Sequence, residues 1–195
     1  MLKEIELKQD KYYIERVLRG DVNAFSHLVD DHKGMVYTVA LRMLKNSEDA
    51  EELAQDTFVK AFNSLKEFKF ESKFSTWLYR ITYNGAISKL RKKQIEVANI
   101  DDSVLPVEEV VTTFNGINVL TKEEQKFYVS KAINNVKEDD AFVITMYYLE
   151  EYSIEEICEM TNLSASNVKV KLHRARKRFY DELKVMLKDE VKTIL

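Results

Sequence analysis

Apolar residues recur at helical spacing along most of this chain. In residues 21–44, Phe25, Leu28 and Val29 share one face, and after a break at Gly34 the residues Val36, Val39, Ala40, Met43 and Leu44 resume it. Gly20 reads as a helix stop, with Asp21 as the N-cap of the next helix. "SEDAEELAQDTFVKAFNSL" predicts a second helix, capped by Ser47, with Glu48 and Asp49 where the helix dipole favours anions. Its apolar stripe is Ala50, Leu53, Ala54, Phe58 and Phe62. A short aromatic and charged loop, residues 66–75, leads into "TWLYRITYNGAISKLRKK", a long helix buried through Leu78, Ile81, Ile87 and Leu90.

From residue 94 to 120 the period dissolves. This stretch holds Pro106 and Gly116, and it exceeds the usual length of an intradomain loop, which predicts a linker. Helical signals return at Thr121, which has capping-box spacing to Glu124. "EDDAFVITMYYLEEY" predicts a buried helix, and Ser153 with Glu156 forms a second capping box. Ile157, Cys158 and Met160 then lie on a short helix, Leu163 in a tight turn, and Val168, Leu172, Ala175 and Phe179 along a longer helix. That outline is a helix-turn-helix. The expected fold is all-α: two small helical domains, residues 1–93 and 121–195, joined by a flexible linker at 94–120.

Composition agrees with this class. Gly (4) and Pro (1) are too scarce for an all-β chain, while 45% hydrophobic and 32% charged residues fit a globular protein. Cys158 stands alone, so no intrachain disulfide and no cysteine zinc cluster can form. The first residues lack a signal-peptide core, and the longest apolar run is too short for a bilayer. A cytoplasmic location without membrane insertion is expected.

Charge changes the picture. The formal net charge is only −3, but the signs are segregated. The helix from Ser47 carries Asp49, Glu52, Gln55 and Asp56 on its polar side; residues 80–93 are basic without an acid; residues 96–124 are acidic; residues 162–179 are basic again. If Ser164 caps a helix running to about Lys184, then Ser166, Asn167, Lys169, Val170, His173 and Arg174 lie on its outward face, with Arg176, Lys177 and Arg178 beyond them. Such side chains reach base edges and phosphates. A basic amphipathic helix alone is more often a solvated face, but the capped helix and turn before it favour duplex DNA. In the first half, Phe68, Phe70, Phe74, Trp77, Tyr79 and Tyr83 precede Asn84 and a cationic helix end, a combination that suits unstacked bases. A plain aromatic core would account for several of these rings. His27, His32 and His173 are dispersed and no Gly-rich phosphate loop occurs, so no catalytic constellation, metal or cofactor is expected.

Three blocks, "AEELAQDTFVKAF", "FSTWLYRITYNGAISKLRKK" and "SIEEICEMTNLSASNVKVKLHRARKRF", resemble in order and spacing the bacterial RNA polymerase sigma factors. The two-domain length resembles the extracytoplasmic-function (ECF) group. The resemblance implies that Asp49, Glu52, Gln55, Asp56 and Phe58 dock on the β′ clamp of the polymerase core. It implies that Phe70, Phe74, Trp77, Asn84, Ser88, Arg91 and Lys92 hold the melted −10 element. Ser164, Ser166, Asn167, Lys169, Val170, His173, Arg174 and Arg178 would read the −35 duplex. The implied partners are core polymerase, through the β′ clamp and the β flap, promoter DNA in duplex and single-stranded form, and an anti-sigma factor. Ser88 stands where the family often has Asp, Ser166-Asn167 where it often has Gly-Thr, and Val170 where Ser is usual. These departures bear on which promoter is read.

Two other readings remain at this level. A helix-turn-helix regulator with a dimerising or ligand-sensing first half would bind a two-fold operator without polymerase, and would not require the aromatic and basic cluster. A small helical scaffold or anti-sigma-like partner would leave the cations of residues 169–178 unused.

Overall fold

The computed structural model describes residues 2–96 and 122–194, with side chains over 8–93 and 128–186. Eight α-helices and two single 3-10 turns occur among these residues, and no strand. The predicted linker at 94–120 falls outside them except for its first residues, Gln94–Glu96, which extend a helix. The Thr121 capping box also lies outside the described residues.

The first unit contains α1 (Leu2–Leu18), α2 (Phe25–Leu44), α3 (Ser47–Asn63) and α4 (Phe74–Glu96). Helix α2 is the centre: α1, α3 and α4 all pack on it, and α3 also packs on α4. Ile14, Leu28, Val36, Met43, Leu53, Leu65, Phe74 and Leu78 are among the large apolar side chains buried in this unit. Burying each contributes roughly 1.5–3 kcal/mol.

Several local expectations are corrected. Gly34 does not break α2; it is an exposed helical position where an added Cβ would meet nothing. Asp21 makes no side-chain cap; it precedes a 3-10 turn, Val22–Ala24, and its carboxylate pairs with Arg16. The cap of α3 is Asn46, whose Oδ1 accepts the Asp49 N–H at 2.9 Å, one residue earlier than Ser47. Phe62 is not in the core but 37% exposed, because Phe58 and Ala61 take the inward positions of the last α3 turns. In α4, Ile81, Ile87 and Leu90 are only half-buried, while Tyr79, Thr82, Tyr83 and Ala86 join Leu78 inside. The helix stop expected at Gly20 ends α1, which runs to Leu18.

The second unit contains α5 (Lys122–Asn134), α6 (Glu138–Tyr148), the first residues of α7 (Ile154–Thr161) and α8 (Ala165–Ile194). Helices α5 and α6 pack against α8. Ile133, Val136, Ala141, Ile144 and Ala175 form one cluster, with Val129 and Phe179 against it. Tyr128, Ala132 and Leu183 continue it along α8. The predicted stripe Val168, Leu172 and Ala175 is buried, and Phe179 is half-buried. The helix does not stop near Lys184 but continues to Ile194. In α6 the buried run is Asp140–Met146, whereas Tyr147, Tyr148 and Leu149 are exposed.

Candidate nucleic-acid and partner surfaces

Helix α7 starts at the predicted capping box: Ser153 N–H donates to Glu156 Oε2 at 2.9 Å and Glu156 N–H to Ser153 Oγ at 3.1 Å. Its chain leaves through Asn162 at φ 58°, a left-handed conformation that Asn tolerates, with the Asn162 N–H donating to Cys158 O at 2.8 Å. Ser164 Oγ then accepts the Asn167 N–H at 3.3 Å and starts α8. Two short-range caps and one left-handed Asn therefore shape the turn. Cys158 is half-buried.

The cap Ser164 and, on α8, Ser166, Asn167, Lys169, Val170 and Arg178 are exposed, and His173 is half-exposed. Arg174 is exposed but not free: its guanidinium lies 3.6 Å from Asp140 Oδ1. Lys171, 15% exposed, donates to Asp139 Oδ2 at 3.0 Å and lies 3.8 Å from Asp140. Burial pushes the Asp140 carboxyl above its ordinary pKa, against the opposing pull of Arg174, Lys171 and Arg178. Two of the cations on this helix are thus answered by α6, and the outward charge rests chiefly on Lys169, Arg176, Lys177 and Arg178.

In the first unit the aromatic residues sort by depth. Phe68 and Phe74 are 7% and 2% exposed, Tyr79 and Tyr83 are buried, Trp77 is half-buried and Phe70 is 43% exposed. Phe74 therefore cannot stack on a base without unpacking; it supports Phe68 and Trp77, with ring centroids at 5.8 and 5.7 Å. Phe70 leans on Phe68 at 4.9 Å with φ 59°, an unusual conformation for a bulky residue.

Along α4, Asn84, Ser88, Arg91 and Lys92 are exposed. Asn84, Ser88 and Gly85 form one wall of an open groove of about 500 Å³, and Lys60, Asn63 and Ser64 form the other. Gly85 makes this close approach: an added Cβ would sit 2.5 Å from Leu53 Cδ1. Lys60 and Asn63 are not among the residues that the sequence singles out. Their one signal is i, i+3 spacing on the polar side of α3.

The acidic face of α3 is exposed at Glu52, Gln55 and Asp56. Lys89 of α4 donates to Glu52 Oε2 at 2.6 Å and lies 4.0 Å from Asp49. Phe58 is 9% exposed and lines a shallow apolar groove of about 600 Å³ with Val22, Phe25, Val59 and Phe62. Glu52 and Val59 are seven residues apart, as are Gln55 and Phe62, so the acidic face continues into this apolar one. The second unit has an apolar groove of its own, about 190 Å³, lined by Val129, Ile133, Ile144, Leu149 and Phe179, with Arg176 beside it.

Among the described residues no His, Cys, Asp and Glu grouping could hold a metal ion, and no helix is long and apolar enough to cross a membrane.

The family described as Sigma-70 region 2 matches residues 28–95, and Sigma-70 region 4 matches residues 126–179. The ECF RNA polymerase sigma factor SigW of Bacillus subtilis is 33% identical over 190 residues, covering 89% of this chain and 96% of that protein. The ECF RNA polymerase sigma-E factor of Escherichia coli is 28% identical over 185 residues, covering 92% and 96%. In fold, the chain is similar to CnrH solved with the cytosolic domain of CnrY: TM-score 0.61, 20% identity, 91% of this chain and 98% of that one. It is equally similar to the sigma factor RpoE of Bartonella quintana, solved with the anti-sigma factor NepR: TM-score 0.61, 24% identity, 83% and 97% covered. With both regions matched in order on two helical units, this chain belongs to the ECF sigma factors.

Proposed function

We propose that this chain is the dissociable promoter-recognition subunit of a cytoplasmic RNA polymerase, with no catalytic chemistry of its own. Domain bounds of 1–93 and 121–195 separate its two tasks. The exposed first turns of α8 enter the major groove of the −35 duplex: Ser166, Asn167, Lys169 and Val170 meet base edges or the thymine methyl, and Arg178 meets phosphate. The groove between α3 and α4 takes an unstacked −10 base against Asn84 and Ser88, with Arg91 and Lys92 on the strand backbone. Phe70 and Trp77 offer the rings.

The carboxylate face of Glu52, Gln55 and Asp56, continued by Val59 and Phe62, docks on the β′ clamp. The apolar groove of the second unit receives the β flap. An anti-sigma factor would act by covering these same surfaces.

The observation that carries this reading is the division of α8: Val168, Leu172 and Ala175 are buried while Ser166, Asn167, Lys169 and Val170 are exposed. The test is transcription in vitro with purified core polymerase on a library of genomic fragments. Discrete start sites that need this chain are expected. No initiation, together with tight binding to palindromic duplex in the absence of polymerase, would overturn the proposal in favour of a dimeric regulator.

A further inference from the structure

Helix α1 lies outside the residues matched to Sigma-70 region 2, yet it reaches the aromatic cluster twice. Deep in the unit, Asp10 Oδ1 is 3.0 Å from His32 Nε2, with both side chains nearly out of water. The His32 ring meets the edge of Phe74, centroids 5.5 Å apart, and Phe74 supports Phe68 and Trp77. Gln9 adds a second tie to α2, donating to Asp31 Oδ2 at 3.2 Å. These contacts set where α1 lies against the loop. One residue after Asp10, Lys11 is exposed and its Nζ stands 6.0 Å from the centroid of the Phe70 ring.

An exposed ring beside a solvated ammonium is the minimal unit for holding one nucleotide of a single strand. The ring stacks on the base and the ammonium meets its phosphate. Phe70 is held outward at a positive φ, which backbone preference alone would not select. Lys11 stands over the Phe70 ring at the outer limit of a cation–π contact, a weak tie at an exposed site that a phosphate can replace.

We infer that Lys11 is a strand-binding residue: it takes a backbone phosphate of the melted DNA at the nucleotide whose base lies on Phe70, and the Asp10–His32 pair positions it there. The inference rests on the strand capture proposed above for the first unit.

The experiment uses the full chain assembled on core polymerase. The probe is a fluorescent single-stranded DNA oligonucleotide of mixed sequence, titrated across a range of salt concentrations. Lys11→Gln is expected to weaken binding about three- to fivefold at physiological salt and to lower the log–log salt slope by about 0.7, the loss of one phosphate contact. In a Phe70→Ala background the same change should cost less, because both residues act on one nucleotide. Arg19→Gln, just past the C-terminal end of α1, should leave the slope unchanged.

Lys11→Gln without effect, while Phe70→Ala and Asn84→Ala still weaken binding, overturns the role of Lys11 alone. An equal loss on a fully paired duplex also overturns it, since that marks general attraction. If none of the three substitutions matters, or the parent complex does not hold the strand, strand capture fails and the inference fails with it.

Discussion

Lys171 Nζ on α8 lies 3.0 Å from Asp139 Oδ2 on α6, so one cation of α8 is engaged inside its own unit. Lys171→Ala would remove the ammonium beside Asp139 and leave the buried Asp140 with Arg174 and the pull of Arg178, and should destabilise the second unit by about 1–3 kcal/mol. It should hardly alter the salt dependence of duplex binding. Lys169→Ala, at an exposed position of the same helix, should do the reverse: unchanged stability, and a log–log salt slope lower by about 0.9 if it meets a phosphate. Denaturant unfolding and salt titrations on both variants check the contrast. A large slope change in Lys171→Ala would mean that the ion pair opens on DNA.

Asp140 makes a pH prediction with a definite sign. Burial raises its folded pKa above the value of an unfolded carboxylate, despite Arg174, Lys171 and Arg178. A raised pKa means that the folded state holds the proton more tightly. Its stabilising contribution is full below the unfolded pKa and is lost as pH rises through the folded one. At neutral pH the ionised carboxylate is therefore a net cost, and Asp140→Asn, which keeps the shape, should be at least as stable as the parent. That advantage should shrink on acidification towards about pH 4. Denaturation midpoints at the two pH values test this; a strongly destabilised Asp140→Asn at neutral pH would show that the ion pairs outweigh burial.

Gly85 lets α4 lie against α3. Its Cβ, if added, would fall 2.5 Å from Leu53 Cδ1, and Leu53 is 2% exposed with little room to retreat. Gly85→Ala gains up to about 1 kcal/mol of helix propensity but must displace Leu53, typically at about 1–3 kcal/mol. Net destabilisation is expected, with a changed width of the groove beside Asn84 and Ser88. Thermal melting combined with single-strand binding would read both effects.

What was legible in the sequence was mostly local. The Ser153–Glu156 box and the Ser164 cap each act over three residues, so side-chain chemistry alone located the turn. Asn46 and Ser47 are adjacent and both able to cap, which is why spacing alone misplaces the start of α3 by one residue. Helix α1 shows in the sequence only through its stop at Gly20, because charged residues crowd it and its apolar positions leave no clean stripe; its packing comes from α2. Phe62 is more exposed, and Phe74 more deeply buried, than the sequence suggests, for a tertiary reason. Spacing alone does not say which of two aromatic faces meets a neighbouring helix, and α2 and α4 decide it. The Lys171–Asp139 pair spans 32 positions, beyond any periodicity argument.

The same distinction ranks the carboxylates proposed to meet the polymerase clamp. Glu52 is already engaged by Lys89 at 2.6 Å, and Asp49 shares that ammonium at 4.0 Å. Asp56 is exposed on the part of α3 that runs into Val59 and Phe62, beyond that shared ammonium. A carboxylate already neutralised within its own chain contributes less field to a basic partner than one that is not. Asp56→Arg should therefore lower affinity for core polymerase at least about tenfold, or ~1.4 kcal/mol, while Glu52→Gln lowers it by less. Lys89→Ala, which releases Glu52 and Asp49, should hold or raise that affinity. Competition for core polymerase against the labelled parent chain measures all three variants in one assay. If Glu52→Gln proves the most damaging, the contact centres on the N-terminal half of α3, and the apolar continuation through Val59 and Phe62 is not part of it.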